Sequence, residues 1–314
     1  LGAAGSAVPH PSEPARPALN GTGPAFSVDE VGRTFGAVKA LDSVSFDVAP
    51  GEILGIIGAN GAGKTTLFDI CSGYLRGTGR VRLGGVDVTT LNAHERAERG
   101  LGRLFQDARL FPSLTVAEVL AVALDRRIEV KDPLLSIVRT GAVSAAEEEV
   151  KEEAAALIAR LGLERYRDSF VSELSTGTRR ILELACVMAH QPSVLLLDEP
   201  TSGLAQRESE ALGDLLLDLR ARTGVTMVMI EHDVPLVSRI ADRMVCLDLG
   251  RVISEGRPAE VLDDRRVVEA YLGPDAVAVR RSGAVQPGRR TRARPLVAAS
   301  RTKSPSKRKD NADA

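Results

Sequence analysis

Residues 52–73 read EILGIIGANGAGKTTLFDICSG. The stretch opens as a buried strand, passes through a glycine-rich turn and continues as a helix. Gly58, Gly63, Lys64 and Thr65 fit the pattern G-x-x-x-x-G-K-[ST]. The loop in full is Gly58, Ala59, Asn60, Gly61, Ala62 and Gly63, followed by Lys64, Thr65 and Thr66. Its glycines let the backbone wrap tightly, with N–H groups turned inward to cradle phosphates. Lys64 offers a point charge to β and γ phosphates, and the Thr65 hydroxyl is a ligand for Mg²⁺. An ordinary glycine-rich turn is the competing reading, and the placement between strand and helix argues against it.

Much later, QPSVLLLDEP (residues 191–200) is an apolar strand that ends in two carboxylates and is stopped by a proline. Asp198 at the strand tip is placed to hold Mg²⁺ directly or through water. Glu199, one residue on, can polarise a water attacking the γ-phosphate. A strand ending in Asp-Glu is also common at a solvent edge, so this pair gains weight only beside the phosphate loop. GLGRLFQD ends its apolar part at Gln106, and VTMVMIEHD carries His232 just past its apolar run. Strand ends at the carboxyl edge of a largely parallel sheet converge on a ligand crevice. There Gln106 could meet Mg²⁺ and the lytic water, and His232 could donate to the γ-phosphate. Taken singly, each is equally a surface polar residue. SELSTGTRRILELA (residues 172–185) sets a serine and a glycine before a helical run, which suits an anion clamp or a plain helix cap.

The composition is that of a globular chain: 314 residues, 44% hydrophobic and 26% charged. No apolar run approaches the roughly 18 residues of a membrane-spanning helix. The N-terminus lacks the basic start and continuous apolar core of a signal peptide. Cys71, Cys186 and Cys246 have no paired spacing and read as packing residues of a reducing cytosol, with no cysteine metal site. The net charge of −1 hides an asymmetry: residues 274–314 hold eleven Lys and Arg against three Asp, leaving −9 for residues 1–273. A globular part that acidic is a poor nucleic-acid binder. The tail is expected to be disordered, as is the Ala/Pro/Gly/Ser-rich stretch 1–25, leaving one folded unit over 26–273. Two readings of the start at Leu1 stay open: a trimmed or misassigned start, and excision from a longer polypeptide with a permease fused ahead.

Together these residues resemble the ATP-binding cassette of ABC transporters, in the family's order and over nearly all of 26–273. The resemblance implies roles for individual positions. Phe35 matches the aromatic residue on which adenine stacks, and Gln106 the glutamine loop that contacts both metal and water. Asp198 and Glu199 match the magnesium aspartate and catalytic glutamate, and His232 the switch histidine. LSTGTRR falls where the family's L-S-G-G-Q signature lies, so Ser175, Thr176, Gly177 and Thr178 are candidate nucleotide contacts. Thr176 and Thr178 depart from that signature, and Ala205 stands where many cassettes have an aspartate. Ser175 and Gly177 keep the hydroxyl and the close backbone approach. RTFGAVKALDSVSFDV, AERGLGRLFQDARLFPSLTVAEVLAVA and RRVVEAYLGPD further resemble the cassettes of branched-chain amino acid importers.

The resemblance implies an α/β P-loop NTPase core, a mostly parallel sheet with an antiparallel β patch, plus a small helical subdomain over about 106–190. Within that subdomain SAAEEEVKEEAAALIARLGL has helical composition, with Ala154, Leu157, Ile158 and Leu161 on one face. Its acidic opening suits a helix N-terminus. DPLLSIVRTG (132–141) reads equally as a groove lining for a membrane partner and as a core-facing helix start. The implied function is an ATPase of a membrane importer at the cytoplasmic face, with ATP and Mg²⁺ as cofactors. Its implied partners are integral membrane permease subunits and a second cassette, identical or not, with a solute-binding protein engaged indirectly. ATP would lie between two cassettes, each signature completing the other's site. The alternative is a soluble ABC-type ATPase acting on ribosomes or DNA, for which the basic tail is the argument. One phosphate loop and no sustained heptads speak against it.

Overall fold

The computed structural model describes residues 23–106, 110–125 and 141–272, the side chains of 125, 141–147 and 272 excepted. The basic tail, nearly all of the N-terminal stretch, and DPLLSIVRTG up to its last residue lie outside the described residues.

Two sheets form the frame. β1 (Phe26–Phe35) and β2 (Val38–Val48) make a hairpin, and β4 (Thr78–Leu83) and β5 (Val86–Asp87) extend it in the order β2-β1-β4-β5. All its pairings are antiparallel. The second sheet has six strands: β3 (Ile53–Gly58), β6 (Leu101–Leu104), β7 (Val194–Asp198), β8 (Thr226–Ile230), β9 (Arg243–Asp248) and β10 (Arg251–Gly256). Their order is β10-β9-β3-β8-β7-β6, parallel throughout except for the β9–β10 edge.

Why these strands are apolar end to end follows from burial on both faces. ILGIIG, VLLLD and TMVMI are buried at every position. Side-chain alternation divides them. Ile53, Ile57, Leu195, Leu197, Met227 and Met229 join one hydrophobic cluster. Leu54, Ile56, Leu196, Val228 and Ile230 join the other. The second cluster is closed by α1 (Lys64–Cys71), through Leu67, Phe68 and Ile70, and by the antiparallel sheet, through Phe26, Val28 and Val31.

The first cluster is closed by helices: α3 (Val116–Asp125), α4 (Gly141–Arg160), α5 (Thr176–Met188), α6 (Gln206–Thr223) and α7 (Val234–Ile240). A short α2 (Ala93–Glu98) precedes them, opened by a reciprocal cap between Asn92 and Glu95. The last elements among the described residues are α8 (Pro258–Asp263) and α9 (Arg265–Leu272). Among the described residues no helix is long and apolar enough to cross a membrane.

Ala154, Leu157, Ile158 and Leu161 are buried together, as their spacing predicts. The acidic run nearby is a correction. α4 begins at Gly141, with no acid in its first turn, so Glu147–Glu149 lie in its interior and not at its N-terminus. The alanine-rich stretch before the acids is itself helix-forming, so nothing halts the helix there. Of the three cysteines, Cys71 and Cys246 are buried as expected, while Cys186 is only partly so.

Candidate functional site

Sheet order builds the site. With β3, β8, β7 and β6 adjacent and parallel, their carboxyl ends share one edge. The 58–63 loop follows β3, His232 follows β8, Asp198 and Glu199 close β7, and Gln106 lies just past β6.

The loop is shaped by its glycines. Gly63 has φ 102°, and a Cβ there would sit 2.5 Å from the Ala40 carbonyl oxygen. Only glycine fits this turn. No side chain caps α1 at Gly63, which leaves its first N–H groups available to an anion. Ala62 is buried, Ala59 and Thr66 are half-buried, and Asn60, Gly61 and Thr65 are exposed. Lys64 is 6% exposed, and its ammonium donates to the carbonyls of Gly58 at 2.7 Å and Ala59 at 3.0 Å. Burial pulls this ammonium below the usual lysine range, while the charges of Glu199 and Asp198 pull it back up.

At the end of β7, Asp198 is 4% exposed and accepts from Arg103 Nη2 at 2.7 Å. Burial pushes its carboxyl above the usual range and the Arg103 charge opposes that. Arg103 also donates to Asp69 and Ser72 of the α1 region, each at 2.7 Å. Its guanidinium lies 4.5 Å from the Phe105 ring centroid. Glu199 adopts φ 46°, a left-handed conformation that costs a non-glycine residue about 1–3 kcal/mol. Its contacts include three to the neighbouring strand ends. Its N–H donates to the Ile230 carbonyl at 2.9 Å, Gln106 Nε2 donates to Oε2 at 3.0 Å, and His232 Nε2 lies 2.8 Å from Oε1. The structure thus brings together Lys64, Asp198, Glu199, Gln106 and His232. An open cavity of about 540 Å³ adjoins Glu199 and His232, lined also by Thr201, Gln206 and Glu231 among others.

The LSTGTRR segment forms the start of α5. Ser175 is its N-cap and accepts from the Thr178 N–H at 3.2 Å, with the two hydroxyl oxygens 3.0 Å apart. Thr176 is exposed and not at positive φ, as a β-branched residue requires. A Cβ on Gly177 would come 2.8 Å from Glu208 Oε1, so the segment abuts the first turn of α6. Phe35 ends β1, is 45% exposed and is covered by the Arg33 guanidinium at 4.8 Å.

Three residues went unremarked in the sequence. Arg103 holds Asp198. Arg180, 6% exposed, donates to the carbonyls of Phe105, Gln106, Glu199 and Pro200 and to the Glu183 carboxylate. Glu231, 2% exposed, accepts from the Thr201 N–H and hydroxyl, both at 2.7 Å. A charged residue inside an apolar strand, as Arg103 is in GLGRLF, is a signal that marks one of them; Glu231 lies just past its strand and carries no such mark.

Comparison with known proteins places this arrangement. The model of the ABC transporter family matches residues 41–202, and that of the branched-chain amino acid ATP-binding cassette transporters matches residues 251–275. The chain is 35% identical over 251 residues to the high-affinity branched-chain amino acid transport ATP-binding protein BraF of Pseudomonas aeruginosa, covering 80% of this chain and 98% of BraF. Its backbone is similar to the ADP conformation of MJ1267, an ATP-binding cassette of an ABC transporter. That similarity has a TM-score of 0.69 at 31% identity, covering 80% of this chain and 100% of the other. A dimeric post-hydrolysis state of the cassette MJ0796, bound to ADP and Pi, matches at TM-score 0.61 and 25% identity, over 74% of this chain and 98% of the other.

Proposed function

The chain belongs to the ATP-binding cassettes of ABC transporters, and from that membership we propose that it is the ATP-hydrolysing subunit of a membrane importer for branched-chain amino acids or related small solutes. The solute class rests on the identity to BraF over nearly its whole length and on the C-terminal family segment. The observation that carries the chemistry is Glu199, held between Gln106 and His232 beside the phosphate loop. The soluble ribosome- or DNA-acting alternative has no comparable support.

In this reading residues 58–66 hold the phosphates of ATP, Lys64 leaving the carbonyls of Gly58 and Ala59 for the β and γ oxygens. Phe35 exchanges its Arg33 cover for adenine. Mg²⁺ takes hard oxygen donors and shares its shell with phosphate and water. The donor set fits: the Thr65 hydroxyl, the Asp198 carboxylate, engaged by Arg103 through Oδ2, and the Gln106 amide oxygen, whose nitrogen is on Glu199. When bound, the ion neutralises charge developing on the phosphates. Glu199 orients the attacking water and takes its proton, and His232 donates towards the γ-phosphate.

Ser175, Thr176, Gly177 and Thr178 are assigned to ATP held by a second cassette, a pairing supported by the dimeric state of MJ0796. Permease subunits anchor the pair at the cytoplasmic face of the membrane, and a solute-binding protein acts through them. The folded cassette is assigned to 26–273 and its helical subdomain to about 106–190. The test is Glu199→Gln in the purified complex. ATP binding should stay near normal and turnover should fall at least ~100-fold, a general-base-sized loss. Unchanged turnover would remove Glu199 from the mechanism.

A further inference from the structure

The segment RRVVEAYLGPD (residues 265–275) has no part in the chemistry above. α9 covers most of it and is docked on the core, with Val267 3% exposed and Val261 of the preceding α8 fully buried. Near the end of α9, the Tyr271 hydroxyl oxygen accepts the Gly58 N–H at 2.6 Å, a contact between residues 213 apart in sequence. Gly58 is the last residue of β3 and the first of the phosphate loop. Its carbonyl, with that of Ala59, is where Lys64 rests. On its other side a Cβ would lie 2.3 Å from the Leu247 carbonyl oxygen of β9, so the backbones are in close contact there. Gly58 is therefore held through both of the peptide groups it joins: its N–H by the C-terminal helix and its C=O by the loop lysine. Burial pushes the Tyr271 hydroxyl up to about 12, so it stays neutral near pH 7 and keeps its role as acceptor.

We propose that Tyr271 is a positioning residue for the phosphate loop: its hydroxyl fixes the Gly58 N–H, and with it the first residue of the loop that receives the phosphates, so that docking of the C-terminal helix sets nucleotide affinity. This rests on the reading of residues 58–66 as the nucleotide site. Tyr271 touches neither phosphate nor water in this role and acts through Gly58. Because linkage is reciprocal, nucleotide binding must in turn tighten the docking of α9.

Tyr271→Phe removes one oxygen, keeps the ring and leaves the Gly58 N–H without its partner. Titration of the full chain with MgADP should show affinity about 3- to 10-fold below that of the unaltered protein, the size of one hydrogen bond. In the assembled complex the same change should raise KM for ATP by a similar factor and leave kcat within about twofold, since Glu199, Gln106 and His232 are untouched. A merely structural tyrosine would lower the melting temperature or kcat without moving Kd or KM. Hydrogen exchange on the unaltered chain adds a readout free of any substitution: MgADP should slow the amides of 265–272. A Kd and KM in Tyr271→Phe within twofold of the unaltered protein would overturn the proposal, as would exchange at 265–272 indifferent to MgADP. Failure of the unaltered chain to bind MgADP at all would overturn the nucleotide reading along with it.

Discussion

Glu199 shows how a single residue is made ready for chemistry. A left-handed backbone at a glutamate is unfavourable, and it persists because the Ile230 carbonyl, Gln106 and His232 hold the residue from three sides. None of those contacts is local: Gln106 is 93 positions away and His232 33. Residue identities and strand ends marked Glu199, Gln106 and His232 as candidates, yet their mutual hydrogen bonds came only with the sheet order. Arg103 escaped notice for the same reason, since its partner Asp198 lies 95 positions along the chain. The cysteines belong to this scale as well. Burial pushes Cys71, Cys186 and Cys246 each up to about 12. At pH 8 the thiolate fraction of such a group is about one in ten thousand. A disulfide reagent at that pH should therefore label less than one thiol per native chain in the time that labels all three in guanidinium. Rapid labelling of the native chain would show that these thiols are not held protonated.

Among the elements, α5 was the most ambiguous in sequence and is the most connected in the structure. A clamp and a cap were both open readings of LSTGTRR, and Ser175 does cap its own helix. What periodicity could not reveal is Arg180 in the second turn, whose guanidinium ties α5 to the two strand ends that carry Gln106 and Glu199. Arg180 and Glu183 are both largely buried, with side chains 7% and 11% exposed. Removing the cation would strand that carboxylate and take a donor from four carbonyls, of which that of Glu199 still accepts the Ser202 N–H. Arg180→Ala should lower unfolding stability by about 3–5 kcal/mol, the cost of breaking a buried pair from one side. Arg180→Lys should recover only part of it, because an ammonium lacks the planar fork. Urea unfolding measures both, and a loss below about 1 kcal/mol would mean the network is dispensable. α4 teaches the complementary lesson. Its buried face was legible from spacing alone, while its start was not, because acids are equally tolerated on the exposed face of a helix interior, where Glu148 and Glu149 lie.

At the scale of the whole molecule, the parallel sheet was legible because strands buried on both faces are written as unbroken apolar runs. The antiparallel patch was expected only from the family resemblance, and its strand order β2-β1-β4-β5 was not legible at all, because strand pairing is a matter of partners remote in sequence. In the proposed pairing of two cassettes, function at this scale lies between chains. Gly177→Asp would set a carboxylate beside Glu208, where a Cβ alone already comes within 2.8 Å, and against phosphate held by the partner cassette. The isolated variant should bind ATP normally through its own intact phosphate loop, while hydrolysis in the assembled complex should fall at least ~100-fold. Lys64→Ala should do the reverse and weaken nucleotide binding by the isolated chain itself. A Gly177→Asp complex with full activity would place the signature outside the catalytic cycle.

The central claim is that ATP hydrolysed at Glu199 drives solute across a membrane, and uptake measures it directly. Proteoliposomes carrying the complete complex, supplied with the solute-binding protein and labelled leucine, should accumulate leucine only when MgATP is present on the cassette side. The complex with Glu199→Gln should still bind ATP and accumulate no more leucine than vesicles without nucleotide. Equal, ATP-dependent accumulation by both complexes would contradict the account.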